Sequence, residues 1–194
     1  FYITRYEKGA QYPIYSRKKE TLDANEEIMF NVNEMAKDYD YYALGGLEVS
    51  LDNKLVSFGV DTLSRRQYII QIKNLETGKI YSDKIENTTG SSVWANDNKT
   101  LFYTKKNPIT LRGEKIYRHE LGTDPSLDKL VYEEKDPTFG TFVYKTKSNK
   151  YIVVGSYSTL SQEYQVLDAN NPKGELKLIQ PRIRELEYGI AHYD

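Results

Sequence analysis

Apolar and polar positions along the chain alternate in short runs separated by turn residues, and this layout recurs. Each repeat opens with two apolar runs around a turn that contains the dipeptide Asn-Lys. Asn suits such turns because its side chain hydrogen-bonds nearby backbone and tolerates positive φ. The pattern therefore predicts β-hairpins over residues 46–58, 92–103 and 141–154. Their turn dipeptides are Asn53-Lys54, Asn98-Lys99 and Asn149-Lys150.

Two further apolar runs follow each hairpin. The third runs are 68–72, 115–119 and 163–167, and the fourth runs are 79–81, 129–132 and 176–179. Successive Asn-Lys turns lie 45 and 51 positions apart. Four short strands in a repeat of this length are typical of a β-propeller blade.

The residues before the first full repeat predict the later strands of another blade, over 2–5, 12–16 and 27–30, with one helical turn at 33–36. The fold class is therefore all-β, a partial β-propeller of about three four-stranded blades plus part of another. An ordinary β-sandwich or barrel, which also has many short strands, is the alternative. We predict a single domain that divides into a partial blade and three blades, at 1–44, 45–90, 91–140 and 141–190.

Composition narrows the functional classes. The chain has 194 residues, 39% of them hydrophobic, and a net charge of −1, which favours a packed core and argues against a nucleic-acid partner. No apolar run approaches the roughly 20 residues that span a bilayer, so we expect no membrane partner. The lack of cysteine excludes disulfides and thiolate metal sites, and together with the lack of a visible signal peptide it predicts a cytoplasmic location.

The chemistry of a hydrolase is missing from the sequence. A serine hydrolase of the α/β class needs a Gly-x-Ser-x-Gly turn, which the chain lacks. Nothing in the sequence pairs His119 or His192 with an activated serine, and the pair Glu133-Glu134 is interpreted as a solvated face. We therefore predict no catalytic residue, no metal site and no cofactor within this chain.

Several segments, in order along the chain, resemble the propeller of the prolyl oligopeptidase family, and specifically its oligopeptidase B (protease II) branch. The resemblance implies a seven-bladed ring joined to a C-terminal α/β-hydrolase domain that carries Ser, Asp and His. It also implies cleavage of short peptides after Arg or Lys, with the ring restricting access to oligopeptides. The segments are YITRYEKGAQYPIYSR (2–17), YYALGG (41–46), DTLSRRQY (61–68), VWAND (93–97), YRHELGT (117–123), YEEKD (132–136) and LDA (167–169).

The resemblance also suggests candidate site residues. Asp61, Arg65 and Arg66 lie in a loop that leaves the second strand of a blade, and we expect them to form ion pairs with the hydrolase domain. Relatives often carry an acidic residue just before this aspartate, where this chain has Val60. Glu48 and Lys145, on innermost strands, are expected to border the central tunnel.

The expected partners are peptide substrates and the hydrolase domain of the same polypeptide. About half of a ring would expose sheet faces and edges at its ends, so we also expect the chain to self-associate. A stand-alone propeller that binds a protein or peptide on one face is the alternative function. A propeller enzyme that binds a small molecule would require converging acids or metal ligands, which the sequence does not show.

Overall fold

The computed structural model describes residues 1–193, and within them the chain is almost entirely β-structure. In this range, helical structure is limited to α1 (Val32–Met35) and a 3₁₀ turn at Pro125–Leu127. The strands are β1 (Tyr2–Arg5), β2 (Ile14–Arg17), β3 (Glu27–Asn31), β4 (Ala43–Val49), β5 (Leu55–Asp61), β6 (Tyr68–Asn74), β7 (Ile85–Trp94), β8 (Thr100–Lys106), β9 (Gly113–Glu120), β10 (Lys129–Glu133), β11 (Gly140–Lys145), β12 (Tyr151–Tyr157), β13 (Gln162–Asp168) and β14 (Lys177–Gln180).

Three antiparallel sheets arise from neighbouring strands, in the orders β1-β2-β3, β4 through β10, and β11-β12-β13-β14. The seven-stranded sheet holds two blades that share β7. The first half of this strand pairs with β6 as far as Thr88, which also pairs with Lys105 of β8, and the second half pairs with β8 from Ser92 to Trp94. We therefore describe a partial blade (β1–β3), a first full blade (β4–β6 and the first half of β7), a second (the second half of β7 with β8–β10) and a third (β11–β14). The predicted partial propeller is confirmed.

The predicted hairpins are confirmed as the pairs β4/β5, β7/β8 and β11/β12. The turn residues Asn53, Asn98 and Asn149 all adopt positive φ, at 59°, 54° and 59°. This is the left-handed conformation that Asn tolerates better than most residues. The helical turn predicted at 33–36 is also confirmed, as α1 shifted by one residue.

The outer strand of the first full blade was predicted at 79–81, and that prediction is wrong. Ile80 forms only an isolated bridge with Lys73, and the outer strand begins instead at Ile85. Burial explains the choice, since Ile85 is 1% exposed whereas Ile80 is 48% exposed. Strand pairing does not set the residue limits of the blades, so the predicted domain division stays a prediction.

The hydrophobic core lies between adjacent blades, in three clusters. One joins the partial blade to the first full blade, where the rings of Phe30 and Phe58 lie 4.7 Å apart. The next joins the first and second full blades and contains Leu101 and Tyr103, while the third joins the second and third full blades and contains Phe102. Alternate residues of β8 thus face opposite neighbours, as the two-residue period of a strand requires. This radial packing is what a propeller needs.

Three glycines allow β7 to pass from one blade to the next. A Cβ built on Gly46 would lie 1.9 Å from the carbonyl oxygen of Gly90, and one built on Gly59 would lie 2.6 Å from the Cα of Gly90. Gly90 itself has a φ of 89° and lies against the ring of Tyr68. Any larger side chain at these positions would separate β4, β5 and β7.

Candidate functional site

The inner strands of the three full blades lie side by side, since β4 contacts β7 and β7 contacts β11. Trp94, at the end of β7, is fully buried and donates its indole N–H to the backbone oxygen of Glu48 over 3.0 Å. The hydroxyl of Ser57 also donates to this oxygen, over 3.3 Å. The backbone of Glu48 is therefore held by two blades.

Glu48 and Lys145 come close enough to influence each other across the inner strands. Burial raises the pKa of the Glu48 carboxyl above its usual range, and the positive charge of Lys145 partly offsets this rise. Burial lowers the pKa of the Lys145 ammonium, and the negative charge of Glu48 partly offsets that fall. The structure thus brings these two predicted tunnel-lining residues together as a partly desolvated pair of opposite charges.

Asn96 holds the lysine of this pair, and the sequence did not single it out for that role. Its side-chain oxygen accepts a hydrogen bond from Lys145 Nζ over 3.4 Å, while its amide nitrogen donates to the backbone oxygen of Asn149 and the side-chain oxygen of Asn170. These partners fix the orientation of the amide. The axial cluster, as we call Glu48, Asn96 and Lys145, therefore draws one polar side chain from each full blade.

Asp61 shapes the loop that it begins. Its carboxylate is buried and accepts the backbone N–H groups of Leu63 and Arg66, over 2.9 and 2.8 Å. Ser64 and Arg66 adopt positive φ inside this loop. The carboxylate therefore bonds the backbone of its own loop, as Asp commonly does in turns, and not the neighbouring guanidinium groups.

The same loop presents two arginines to solvent. Arg65 and Arg66 are exposed, and within residues 1–193 neither guanidinium forms an ion pair. The loop is nevertheless anchored to the next blade, because Lys106 donates to the Arg66 carbonyl over 2.6 Å and Gln67 donates to the Pro108 carbonyl over 3.2 Å. We call residues 61–67 the arginine loop. Its contact with another domain stays a prediction.

Glu134 lies on the same side of the ring as the arginine loop, and its surroundings differ from those predicted from the sequence. Glu134 is 4% exposed, so its interpretation as part of a solvated face is wrong, whereas Glu133 is exposed. Glu134 accepts hydrogen bonds from Arg182 over 2.7 Å and from Tyr132 over 2.9 Å. Burial alone would raise the pKa of Glu134, but these bonds, that of Arg182 above all, outweigh burial and lower it. Arg182 also stacks on Phe139, 3.7 Å from the ring centre.

These contacts connect several blade loops into one surface, which we call the loop face. The guanidinium of Arg112 donates to the backbone oxygen of Phe139 over 2.7 Å and so joins the β8–β9 connection to the β10–β11 connection. Arg182 joins the latter to the segment after β14. A cavity of about 450 Å³ opens beside Arg182. Its lining residues are Thr138, Phe139, Ser158, Thr159, Leu160, Ser161, Arg182 and Arg184.

The described part of the chain contains no group of three or more His, Cys, Asp or Glu residues arranged to hold a metal ion. Within it, no helix is both long and apolar enough to cross a membrane. The ring of His119 contacts the carboxylates of Asp83 and Asp128, and neither contact involves a serine. The features that the described residues provide for binding are therefore charged side chains, a cavity and loops anchored by hydrogen bonds.

Comparison with known proteins identifies the family of this propeller. The model of the prolyl oligopeptidase N-terminal β-propeller domain matches residues 1–194. The chain belongs to this family. Dipeptidyl aminopeptidase BI of Pseudoxanthomonas mexicana is 36% identical to this family member over 99% of the chain and 28% of the relative. Protease 2 of Moraxella lacunata is 33% identical over 100% of the chain and 29% of the relative.

Solved structures give the same result. Oligopeptidase B from Leishmania major superposes on 100% of this propeller chain with a TM-score of 0.91 and 30% identity. Oligopeptidase B from Trypanosoma brucei, with covalently bound antipain in a closed form, covers 99% with a TM-score of 0.86 and 27% identity. The chain spans 28% and 27% of those two proteins, so it corresponds to a propeller portion of much longer peptidases.

Proposed function

We propose that this chain is the gating portion of a serine oligopeptidase that cleaves short peptides after Arg or Lys. The match of the whole chain to the propeller family supports this proposal most strongly. The named relatives are peptidases of which it spans little more than a quarter. The reaction itself belongs to a hydrolase domain of the same polypeptide. The propeller's task is to admit short, extended peptides and to exclude folded proteins.

The axial cluster is the part of the chain that we assign to selection. Glu48 and Lys145 place opposite charges where three inner strands meet, and Asn96 fixes the position of the lysine. A charged, well-anchored rim keeps the inner strands in register and leaves a polar passage. The rim would thus discriminate by size at the axis of the ring.

The arginine loop is the part that we assign to docking. Arg65 and Arg66 are exposed on a loop that is rigid because Asp61 closes it and Lys106 anchors it. A preorganised loop loses little conformational entropy when it binds. Planar guanidinium groups form bidentate bonds with carboxylates, so the matching surface of the hydrolase domain would carry Asp or Glu.

The first test uses the full-length protein that contains this chain. We expect it to hydrolyse short peptides with Arg or Lys before the cleaved bond, and to be slow on peptides with Pro or Glu at that position. Failure to cleave after basic residues, with a folded protein in hand, would overturn the proposal. If the full-length protein then lacked any hydrolase domain, the stand-alone interaction module would become the better explanation.

The second test separates gating from catalysis. The double variant Glu48→Gln, Lys145→Gln removes both axial charges and should raise the relative rate on a folded protein substrate by about threefold, with kcat/KM for a short peptide unchanged. Lys99→Gln, at an exposed turn position, is the control and should change neither rate. A parallel change on short and long substrates in the axial variant would argue against a gating role.

A further inference from the structure

A buried histidine lies between two carboxylates at the joint of the first and second full blades. His119, on β9, has a side chain with 0% exposure, and the side chains of Asp83 and Asp128 are each 2% exposed. Its Nδ1 lies 2.7 Å from Asp128 Oδ1, and its Nε2 lies 3.0 Å from Asp83 Oδ2. Both ring nitrogens therefore have a carboxylate oxygen at hydrogen-bond distance.

With both carboxylates ionised, this geometry requires a proton on each ring nitrogen. An ionised carboxylate can only accept hydrogen bonds, and a neutral imidazole has a single N–H to donate. If His119 were neutral, one carboxylate would face the lone pair of a ring nitrogen inside the protein, which is costly. A doubly protonated, positively charged imidazolium satisfies both aspartates.

The surroundings stabilise the two carboxylates in other ways. Tyr103, on β8, donates its hydroxyl to Asp128 over 2.8 Å, and the backbone N–H of Gly122 donates to Asp83 over 2.6 Å. Burial lowers the pKa of His119, but the hydrogen bonds and charges of Asp128 and Asp83 outweigh burial and raise it above the usual histidine value. Among the described residues, these two aspartates are the charged groups that act on the ring.

The cluster joins parts of the chain that belong to different blades. Asp83 lies in the connection that leads from β6 to the outer strand of the first full blade, whereas His119 and Asp128 belong to the second. Within this connection Ile80 bridges Lys73 and the Tyr81 N–H donates to the Ile72 carbonyl over 2.9 Å, so residues 82–84 lie between this bonding to β6 and the start of β7. Asp83 fastens it to the neighbouring blade through two bonds, one with the ring of His119 and one from the backbone N–H of Gly122.

We propose that His119 is a pH-sensitive latch between the first and second full blades, closed while its ring is doubly protonated and opened when the ring loses a proton. A raised pKa in the folded state means that the stabilisation is complete below the unfolded pKa of about 6.5 and is lost as pH rises through the folded value. The latch therefore stays closed to a higher pH than an unperturbed histidine would allow, and it opens as the pH rises further. Opening loosens residues 82–84 and leaves the core cluster, which contains Ile85 and packs against Tyr81, in place.

The direct test is the protonation state. Nitrogen-15 chemical shifts of the histidine rings, recorded on the chain from pH 6 to 10, distinguish imidazolium from neutral imidazole, and His119→Gln assigns the signal. We expect the His119 ring to lose its second proton at a higher pH than the roughly 6.5 of an unperturbed histidine. A neutral His119 ring at pH 7 would overturn the proposal.

The second readout is local opening. Hydrogen exchange of residues 82–84, corrected for the intrinsic effect of pH, should accelerate by about tenfold as His119 deprotonates, while amides of β12 stay constant. His119→Gln should show fast exchange in this segment already at pH 6. Tyr103→Phe is the matched control, because it removes a bond to Asp128 but leaves the imidazolium intact, so its effect should not depend on pH. Equal exchange at pH 6 and above the measured His119 pKa would contradict a latch.

Discussion

Arg17 illustrates how a single buried side chain joins distant parts of this chain. It is 3% exposed, and its guanidinium donates to Glu27, to the Asn53 carbonyl over 2.6 Å and to the Leu75 carbonyl over 3.4 Å. The partial blade is thereby tied to both a turn and a strand end of the first full blade. Carbonyl oxygens that lose such a charged donor inside the protein are left without a partner.

We therefore expect Arg17→Met to lower the free energy of unfolding by about 1–3 kcal/mol, since Met keeps the apolar stem but leaves the buried acceptors unpaired. Urea denaturation followed by tryptophan fluorescence measures the change. Arg5→Met is the matched control, because Arg5 pairs with Glu7 and Glu26 at an exposed site. Equal losses in the two variants would show that burial of Arg17 is unimportant.

Residue-level roles were the hardest to predict from the sequence. The turn residues Asn53, Asn98 and Asn149 were predictable because their conformational preference is local. The environments of Glu134 and His119 were not, since their partners Arg182 and Asp83 lie 48 and 36 positions away along the chain. A carboxylate beside another glutamate looks solvated until the fold brings an arginine to it.

At the level of elements, β7 is the strand whose close packing restricts the choice of residues most. Gly90 lies in its middle with positive φ and touches Tyr68, while Gly46 and Gly59 pack against its backbone. The strand could not be predicted as one element, because its two halves pair with different neighbours and its apolar residues follow no single alternation. The axial cluster was also predictable only in part. Glu48 and Lys145 were predicted as inner-strand residues, whereas the contact of Asn96 with Lys145 is visible only in the folded structure.

Gly90→Ala should be strongly destabilising. A Cβ there would lie 2.7 Å from the Tyr68 ring, and the backbone strain of a non-glycine residue adds roughly 1–3 kcal/mol. Gly78→Ala separates the two effects, because Gly78 also has positive φ but no atom lies within 4 Å of its built Cβ. Thermal unfolding should show a clearly larger loss of Tm for Gly90→Ala than for Gly78→Ala. Similar losses would mean that packing at β7 contributes little.

At the level of the whole molecule, the sheets at both ends of the chain leave edges and apolar side chains uncovered. β1 has a partner on one side only, and Phe1 and Tyr2 are 57% and 51% exposed. The propeller class was predictable because the repeat is periodic and the core clusters follow it. What covers the open ends depends on partners that a periodic pattern does not encode.

We expect the isolated chain to associate through these ends. Light scattering over a concentration series should show a mass that rises above that of the 22.6 kDa chain as concentration increases. Tyr2→Lys introduces a charge beside the open edge of β1 and should shift the association to higher concentration. A monomeric mass throughout the series would rule out this expectation.

The shared strand β7 has a mechanical consequence. It pairs with β6 and with β8, with a shift of register in each ladder, so the first and second full blades belong to one continuous sheet. At the two neighbouring joints, strand pairing within residues 1–193 stops, and the blades are held by chain connections, core packing and side-chain bonds such as those of Arg17 and Arg182. Under mechanical load, the blades should therefore separate first at those joints. The two blades around β7 should move and unfold together as one cooperative unit.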